Sequence, residues 1–213
     1  MNRRRLIILA AGGWAGLQAV RGVAGSSDVD MHSLLGKRAP DFAAVDTQGR
    51  KRQLSEFKGK AVVLEWTSPS CPFVKAQYQS GVMQEAQKMA AGKGVAWLTI
   101  LSTHPTRRDY LAADKAEAFN RNRGAVPAAL LLDPEGTMGR VYGAVVTPQM
   151  FIIDAAGNVV YSGAPTDKST MDAKQVRVSR NLIKAALDDL GAGRTIATPT
   201  SRPFGCTIAY SGR

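Results

Sequence analysis

The chain has 213 residues, of which 45% are hydrophobic, and its formal net charge at pH 7 is +11. This length is enough for one domain with a sizeable core. The basic residues are scattered and have no interleaved aromatic side chains, which argues against a nucleic-acid platform and favours a solvated basic surface. Acidic partners or anionic lipid headgroups are the alternative. With two cysteines and two histidines in the sequence, a zinc or copper site would lack ligands, and no cofactor is expected.

Residues 1–25 are typical of an export signal and are set apart from the fold. Three consecutive arginines from position 3 precede an apolar run over residues 6–20 whose only polar residue is Gln18, and small residues follow. The arginines also resemble a twin-arginine signal. The apolar run is shorter than the roughly 20 residues of a membrane span, so a membrane contact is expected only through an uncleaved signal. Removing the segment, which holds four arginines and no acidic residue, leaves a periplasmic or secreted protein of charge +7.

The rest of the chain alternates between strand and helix patterns. In its first half these patterns predict a flexible linker over 26–35, a hairpin over 36–59, a strand over 61–66, a helix over 72–91, a strand over 95–101 and a helix over 107–122. In its second half they predict a strand over 128–132, a short helix ending near 142, a hairpin of strands 150–154 and 159–162, and a helix over 169–190. Such an order predicts one α/β domain over 36–197. The tail over 198–213 is predicted to be irregular.

Cys71 lies where the strand over 61–66 meets the helix that begins at Pro72. Proline is tolerated at the first helical position because its missing N–H would be unpaired there. A cysteine at a helix start lies among unpaired N–H groups, at the positive end of the helix dipole, and this environment favours the thiolate. The thiolate is the nucleophile in disulfide exchange and in peroxide reduction, so the position indicates redox chemistry. A small buried core residue is the alternative.

This order of elements resembles the thioredoxin fold, and most closely its redoxin branch of exported peroxiredoxin-like and alkyl-hydroperoxide-reductase-like proteins. Five segments carry the resemblance: residues 36–42, 59–64, 70–75, 147–154 and 203–208. The resemblance implies a thioredoxin-like sandwich in which helices flank a mixed central sheet, with the hairpin as an N-terminal extension.

The resemblance to thioredoxin implies roles for residues around Cys71. Cys71 falls on the nucleophilic cysteine, whereas Val74 stands where thioredoxin has its resolving cysteine. Glu65 falls on thioredoxin's buried acid, which moves protons to and from the thiols, and burial at the end of a strand suits a carboxylate to that work. A solvent-facing Glu65 at the sheet edge is the alternative.

A substrate groove is also implied by the resemblance. Thr147 and Pro148 match the cis-proline that faces the cysteine and holds an extended substrate chain by strand-like hydrogen bonds. A trans bond that opens a strand is the ordinary alternative, because cis bonds are rare even before proline. Trp66 and Pro72 are assigned to the same groove.

The resemblance to peroxiredoxins implies that the Ser68 hydroxyl hydrogen-bonds a peroxide. The chain departs from that family's pattern at two positions. Leu64 stands in place of a proline, and Pro148 stands in place of the arginine that polarises the peroxide. These departures put efficient peroxidase activity in doubt. Cys206, in the tail, is the candidate resolving cysteine, and a buried structural cysteine is the alternative.

Two functions follow as hypotheses. The first is an exported thiol oxidoreductase in which Cys71 attacks a peroxide or a protein disulfide and Cys206 or a thiol reductant protein resolves the product. The second is a non-catalytic thioredoxin-fold module that binds a peptide or protein partner. The absence of a nearby resolving cysteine favours the second hypothesis, and a cysteine kept at the helix start favours the first.

Overall fold

The computed structural model of the chain describes residues 33–210. The predicted export signal and most of the predicted linker lie outside the described residues. The strands are β1 (Ala43–Asp46), β2 (Lys51–Gln53), β3 (Val62–Trp66), β4 (Ala96–Leu101), β5 (Ala129–Leu132), β6 (Val146–Thr147), β7 (Gln149–Ile153), β8 (Val159–Gly163) and β9 (Cys206–Thr207). The α-helices are α1 (Pro72–Gln79), α2 (Val82–Gly92), α3 (Ala113–Asn122), α4 (Thr137–Tyr142), α5 (Ala173–Arg177) and α6 (Leu182–Gly191).

A seven-stranded sheet in the order β2-β1-β5-β4-β3-β7-β8 forms the centre of the fold. β3 runs parallel to β4, which runs parallel to β5, whereas β7 is antiparallel to both β3 and β8. The sheet is therefore mixed, as predicted. The hairpin β1–β2 precedes the core strands and extends the sheet beyond β5, and the predicted hairpin near the C-terminal end is β7–β8.

The side chains of β3 alternate between two apolar clusters, one on each face of the sheet. Both faces are therefore apolar, and helices and loops cover each of them. Leu64 and Trp66 join the cluster that also contains Tyr142 of α4 and Tyr210 of the tail. Val63 points the other way, into the cluster that is covered by α1, α2 and α6. Cys71 belongs to this second cluster, so the predicted nucleophile lies on the helix-covered face.

Three predicted helices are shorter than expected. The helix predicted over 72–91 is two helices, because Gly81 between them has a positive φ of 83° that ends the first. The helix predicted over 107–122 begins only at Ala113, since the backbone of Ala112 before it is extended, with φ of −65° and ψ of 165°. The helix predicted over 169–190 is interrupted, and Asn181 caps α6 by accepting a hydrogen bond from the Lys184 N–H.

The tail that was predicted to be irregular contains a short strand. β9 pairs antiparallel with β6, and the Ile208 N–H extends this pairing by donating to the Val145 carbonyl at 2.9 Å. Neither strand was predicted, because two residues are too few to show a periodic pattern. Within residues 33–210, no helix combines the length and apolar character needed to cross a bilayer.

Candidate active site

Cys71 occupies the N-cap position of α1, directly after β3 and its short loop. Its backbone is extended, with φ of −81° and ψ of 117°, and Pro72 takes the first helical position, as expected. The cysteine is only 1% exposed, whereas Pro72 is exposed. The thiol therefore lies at the helix start but beneath a cover, and other residues must provide that cover.

The cover includes the loop before β7. The Thr147–Pro148 peptide bond is cis, and the Cys71 thiol donates a hydrogen bond of 3.0 Å to the Thr147 carbonyl oxygen. Thr147 and Pro148 are both buried. The resemblance therefore anticipated both the cis bond and its position opposite the cysteine.

Cys206 lies beside Cys71. In the β6–β9 pairing Cys206 is the partner of Thr147, whose carbonyl accepts the Cys71 hydrogen bond, and Cys206 packs against the apolar cluster that contains Cys71. Both cysteines are in the free thiol form. Burial, followed by the hydrogen bond and charge interaction with Cys71, raises the pKa of Cys206 to about 12. Cys206 therefore stays protonated at neutral pH, and the role of Cys71 as nucleophile stays a prediction.

This raised pKa predicts slow alkylation of Cys206 in the reduced protein. With a pKa of about 12 in place of 9.0, the thiolate fraction at pH 8 falls about a thousandfold, and iodoacetamide labelling slows with it. In Cys71→Ser the Cys71 thiol no longer raises the pKa of Cys206, while burial still does. Labelling of Cys206 is therefore expected to accelerate, and the pH dependence of this labelling to shift to lower pH. Peptide mass spectrometry between pH 7 and 11 measures both. Labelling of Cys206 in the parent chain at the rate of a free thiol would contradict the assignment.

A C-terminal strap, defined here as residues 199–210, carries Cys206 across the site. Gly205 has φ of 136°, and a Cβ added there would lie 2.6 Å from the Thr147 carbonyl carbon and would overlap the carbonyl oxygen. The strap backbone thus contacts the Thr147 carbonyl directly, at a distance that only glycine permits. The Phe204 ring packs on Phe73 in the first turn of α1, with ring centroids 5.7 Å apart.

Glu65 is fully buried in the middle of the sheet, so the solvent-facing alternative is wrong. Its carboxylate accepts hydrogen bonds from the Tyr78 hydroxyl, at 2.8 and 3.0 Å to its two oxygens, and from Trp97 Nε1 at 2.8 Å. Gln87 Nε2 and the Thr99 hydroxyl add longer contacts of 3.3 and 3.4 Å. A buried carboxylate needs such donors to offset its desolvation. Its role in proton transfer stays a prediction.

Tyr78 contacts both this carboxylate and Arg123. Burial, with the charge of Glu65 next in size, raises the pKa of Tyr78 well above its ordinary 10.0, so the hydroxyl remains a donor. The Arg123 guanidinium lies 3.8 Å from the centroid of the Tyr78 ring, and its Nη1 donates to the Thr67 hydroxyl at 2.8 Å. Arg123 thereby ties the end of α3 to the loop that leads to Cys71.

Ser68 lies on the rim of a small polar cavity of about 170 Å³ beside the Cys71 loop. Its hydroxyl is 3.1 Å from that of Ser70, and Asp109 accepts from both hydroxyls, at 3.4 and 2.7 Å. Thr147 also lines the cavity, and its buried hydroxyl has no hydrogen-bond partner among the described residues. The cavity can therefore receive a small hydrogen-bonding group next to the site, and the peroxide role of Ser68 stays a prediction.

Trp66 lies beneath the groove rather than on its surface. Its side chain is fully buried, and Nε1 donates to the Ser102 hydroxyl at 3.1 Å. The ring packs against Tyr142 and Phe151, with centroids 5.6 and 5.5 Å away. The last residue of β3 points to the first face of the sheet, opposite Glu65, and this alternation explains its burial.

Several residues of the site escaped the sequence analysis, namely Phe73, Tyr78, Gln87, Trp97, Thr99, Asp109, Arg123 and Gly205. Tyr78 had one local signal, since it follows Cys71 by seven positions and so falls on the same face of a helix. Phe73 is in the first turn of α1, and the remaining residues lie farther from Cys71 in the chain. Within residues 33–210, no group of three or more histidine, cysteine or acidic side chains is arranged to hold a metal ion.

A cysteine at the N-cap position of a helix, opposite a cis-proline loop in a fold built on a mixed sheet, defines a thioredoxin-fold thiol oxidoreductase. Comparison with known sequences agrees: residues 35–162 match the AhpC/TSA family, and the chain belongs to that family. Two relatives are named thiol-disulfide oxidoreductase ResA. The one from Bacillus cereus is 28% identical over 59% of this chain and 67% of its own length. The one from Bacillus subtilis is 26% identical over 54% and 70%.

Solved structures support the fold. A hypothetical protein from Sinorhizobium meliloti and an uncharacterised conserved protein from Geobacillus kaustophilus superpose with TM-scores of 0.71 and 0.72, each at 25% identity. Both cover 84% of this chain, and the match spans 96% and 93% of their own chains. A putative protein disulfide isomerase from Bacteroides thetaiotaomicron, at 19% identity and a TM-score of 0.52 over 77% of this chain and 91% of its own, shares the fold.

Proposed function

We propose that the protein exchanges disulfides with polypeptide substrates through the pair Cys71 and Cys206. The observation that carries this proposal is that Thr147, next to the cis-proline, both pairs with Cys206 and accepts the Cys71 thiol hydrogen bond at 3.0 Å. The chain thus supplies from its tail the second thiol that Val74 cannot provide. A binding module would need no such pair, and this favours the catalytic hypothesis over the alternative.

The reaction has two exchange steps. The Cys71 thiolate attacks one sulfur of a substrate disulfide, a mixed disulfide forms, and the second substrate sulfur leaves as a thiolate that takes a proton. Cys206 then attacks the Cys71 sulfur and releases the first substrate sulfur as a thiolate. The substrate gains two thiols, and the protein is oxidised to a Cys71–Cys206 disulfide. A thiol reductant protein returns it to the dithiol.

The raised pKa of Cys206 suits it to the second step. Two of its causes, the hydrogen bond and the charge interaction, come from Cys71 and disappear once Cys71 is in a mixed disulfide. The pKa of Cys206 therefore falls when the mixed disulfide forms, and the contribution of burial, which is the largest, remains. We assign proton transfer to Glu65, whose buried network begins at Tyr78 on the same helix as Cys71.

Disulfides are favoured over peroxides as substrates. The relatives carry the name thiol-disulfide oxidoreductase, and Pro148 replaces the arginine that would polarise a peroxide. The Ser68 hydroxyl is also engaged by Ser70 and Asp109. Export to an oxidising compartment, proposed from residues 1–25, would place the protein where disulfides persist.

An insulin-reduction assay beside a peroxide-consumption assay tests the proposal. The parent chain is expected to reduce insulin disulfides in the presence of dithiothreitol, and Cys71→Ser is expected to lose this activity to background. Cys206→Ser is expected to accumulate a mixed disulfide at Cys71. Insulin reduction by Cys71→Ser at the parent rate would contradict the proposal. If the parent chain consumed peroxide through Cys71 but did not reduce insulin, the substrate would be a peroxide instead.

A further inference from the structure

The C-terminal strap occupies the edge that a substrate strand would use. β9 of the strap pairs with β6, immediately before the cis-proline, and the Ile208 N–H donates to the Val145 carbonyl. Backbone groups bonded in this way are not available to another chain. In the dithiol state the strap therefore fills the groove, and Cys71 beneath it is 1% exposed.

Both ends of the strap are anchored away from the cysteines. At its start the Ser201 hydroxyl bonds the Tyr161 hydroxyl and accepts from the Ala164 N–H, each at 2.8 Å. At its end the Tyr210 hydroxyl donates to the Ala144 carbonyl at 2.6 Å. The Tyr210 ring lies where a Cβ on Gly139 would stand, so it fills a fitted slot against α4. Between the anchors, the part that crosses the site forms only a two-residue strand.

We infer that a substrate strand and the strap exchange places on β6, and that the return of the strap couples disulfide resolution to product release. This inference rests on the proposed function. A polypeptide disulfide reaches Cys71 when the segment 202–210 detaches, and the substrate then pairs with the freed edge. When the strap pairs with β6 again, it brings Cys206 to the Cys71 sulfur. The same pairing displaces the substrate strand from β6. One movement thus breaks the mixed disulfide and clears the groove.

The Cys206→Ser chain, which stops at the mixed disulfide, allows a direct test. Cys71 is joined either to an extended ten-residue peptide with one activated cysteine or, by exchange with the disulfide cystamine, to cysteamine, which releases a second cysteamine. Amide hydrogen exchange of segment 203–208 is then measured by mass spectrometry. The peptide adduct is expected to exchange at least about tenfold faster than the cysteamine adduct, because only the peptide competes for β6. Equal exchange in the two adducts would overturn strand exchange. Failure of either reagent to couple to Cys71 would instead overturn the proposed function, and this inference with it.

A kinetic test loosens the strap without touching either cysteine. In the Cys206→Ser chain, Tyr210→Ala is expected to raise the ratio of the peptide coupling rate to the cysteamine coupling rate about tenfold, since a detached strap becomes more populated. Tyr210→Phe keeps the ring in its slot and is expected to have a smaller effect. Should Tyr210→Ala fail to show a cooperative thermal transition, Phe204→Ala loosens the strap over Phe73 instead. A ratio that is unchanged or lower in the folded variant would show that the strap does not compete.

Discussion

Replacing Gly205 with alanine is expected to slow formation of the Cys71–Cys206 disulfide by about a hundredfold. The added Cβ would overlap the Thr147 carbonyl oxygen, and a backbone group cannot swing aside as a flexible side chain can. The φ of 136° adds strain for any residue with a Cβ. The strap must therefore lift from β6 and carry Cys206 away from Cys71. Quenched-flow mixing of the dithiol protein with a small disulfide, followed by mass analysis, gives the rate.

Gly193→Ala is the matched control for this prediction. Gly193 also has a positive φ, of 68°, but nothing lies within 4 Å of an added Cβ. In this variant the added Cβ strains the backbone at a positive φ but does not collide with Thr147. Gly193→Ala is therefore expected to form the disulfide at the parent rate. Parent-like disulfide formation in Gly205→Ala would mean that the close approach to Thr147 does not position Cys206.

Replacing Glu65 with leucine is expected to lower the free energy of unfolding by about 3 kcal/mol, since buried donors that lose their acceptor cost about 1–3 kcal/mol each. The Tyr78 hydroxyl and Trp97 Nε1 both lose the carboxylate that they bond at 2.8 Å. Removing a desolvated charge offsets part of this cost. Denaturant unfolding of the reduced protein measures the difference.

Two controls refine the Glu65 prediction. Glu65→Gln keeps one acceptor oxygen and nearly the same shape, so its effect is expected to be smaller than that of Glu65→Leu. Tyr78→Phe removes one donor and leaves the carboxylate bonded to Trp97. If Glu65→Leu changed stability by less than Tyr78→Phe does, the carboxylate would not be the centre of the network.

The parts of the site that are local in the chain could be predicted from the sequence. An apolar strand, a short polar loop and a proline at the first helical position together place Cys71 at the start of a helix. The Thr147–Pro148 position was found through its resemblance to a known motif rather than from its residues alone. Patterns of strand and helix likewise predicted most of the order of elements, and the resemblance implied the mixed sheet.

What escaped prediction depends on contacts between distant segments or on single backbone positions. The helix over 72–91 looked continuous because one glycine, Gly81, gives only a weak signal within an otherwise helical pattern. The two-residue strand at Cys206 is defined by its partner at Thr147 and has no pattern of its own. The environment of Glu65 depends on donors from α1, α2 and β4, so its burial could not be decided from β3 alone.

In the proposed reaction, Cys206 takes the place of the second cysteine that thioredoxin keeps where this chain has Val74. Strand pairing with β6 places Cys206 opposite Thr147, whose carbonyl accepts the Cys71 hydrogen bond. Since Thr147 both accepts the Cys71 hydrogen bond and pairs with Cys206, the cis-proline loop positions both partners.

Intact-mass analysis of the protein after mild oxidation and thiol alkylation tests this pairing most directly. The oxidised chain is expected to take up no alkylating label, to be a monomer by mass, and to take up two labels after reduction, since its two cysteines would be joined. Two labelled thiols in the oxidised, unreduced protein would contradict the account.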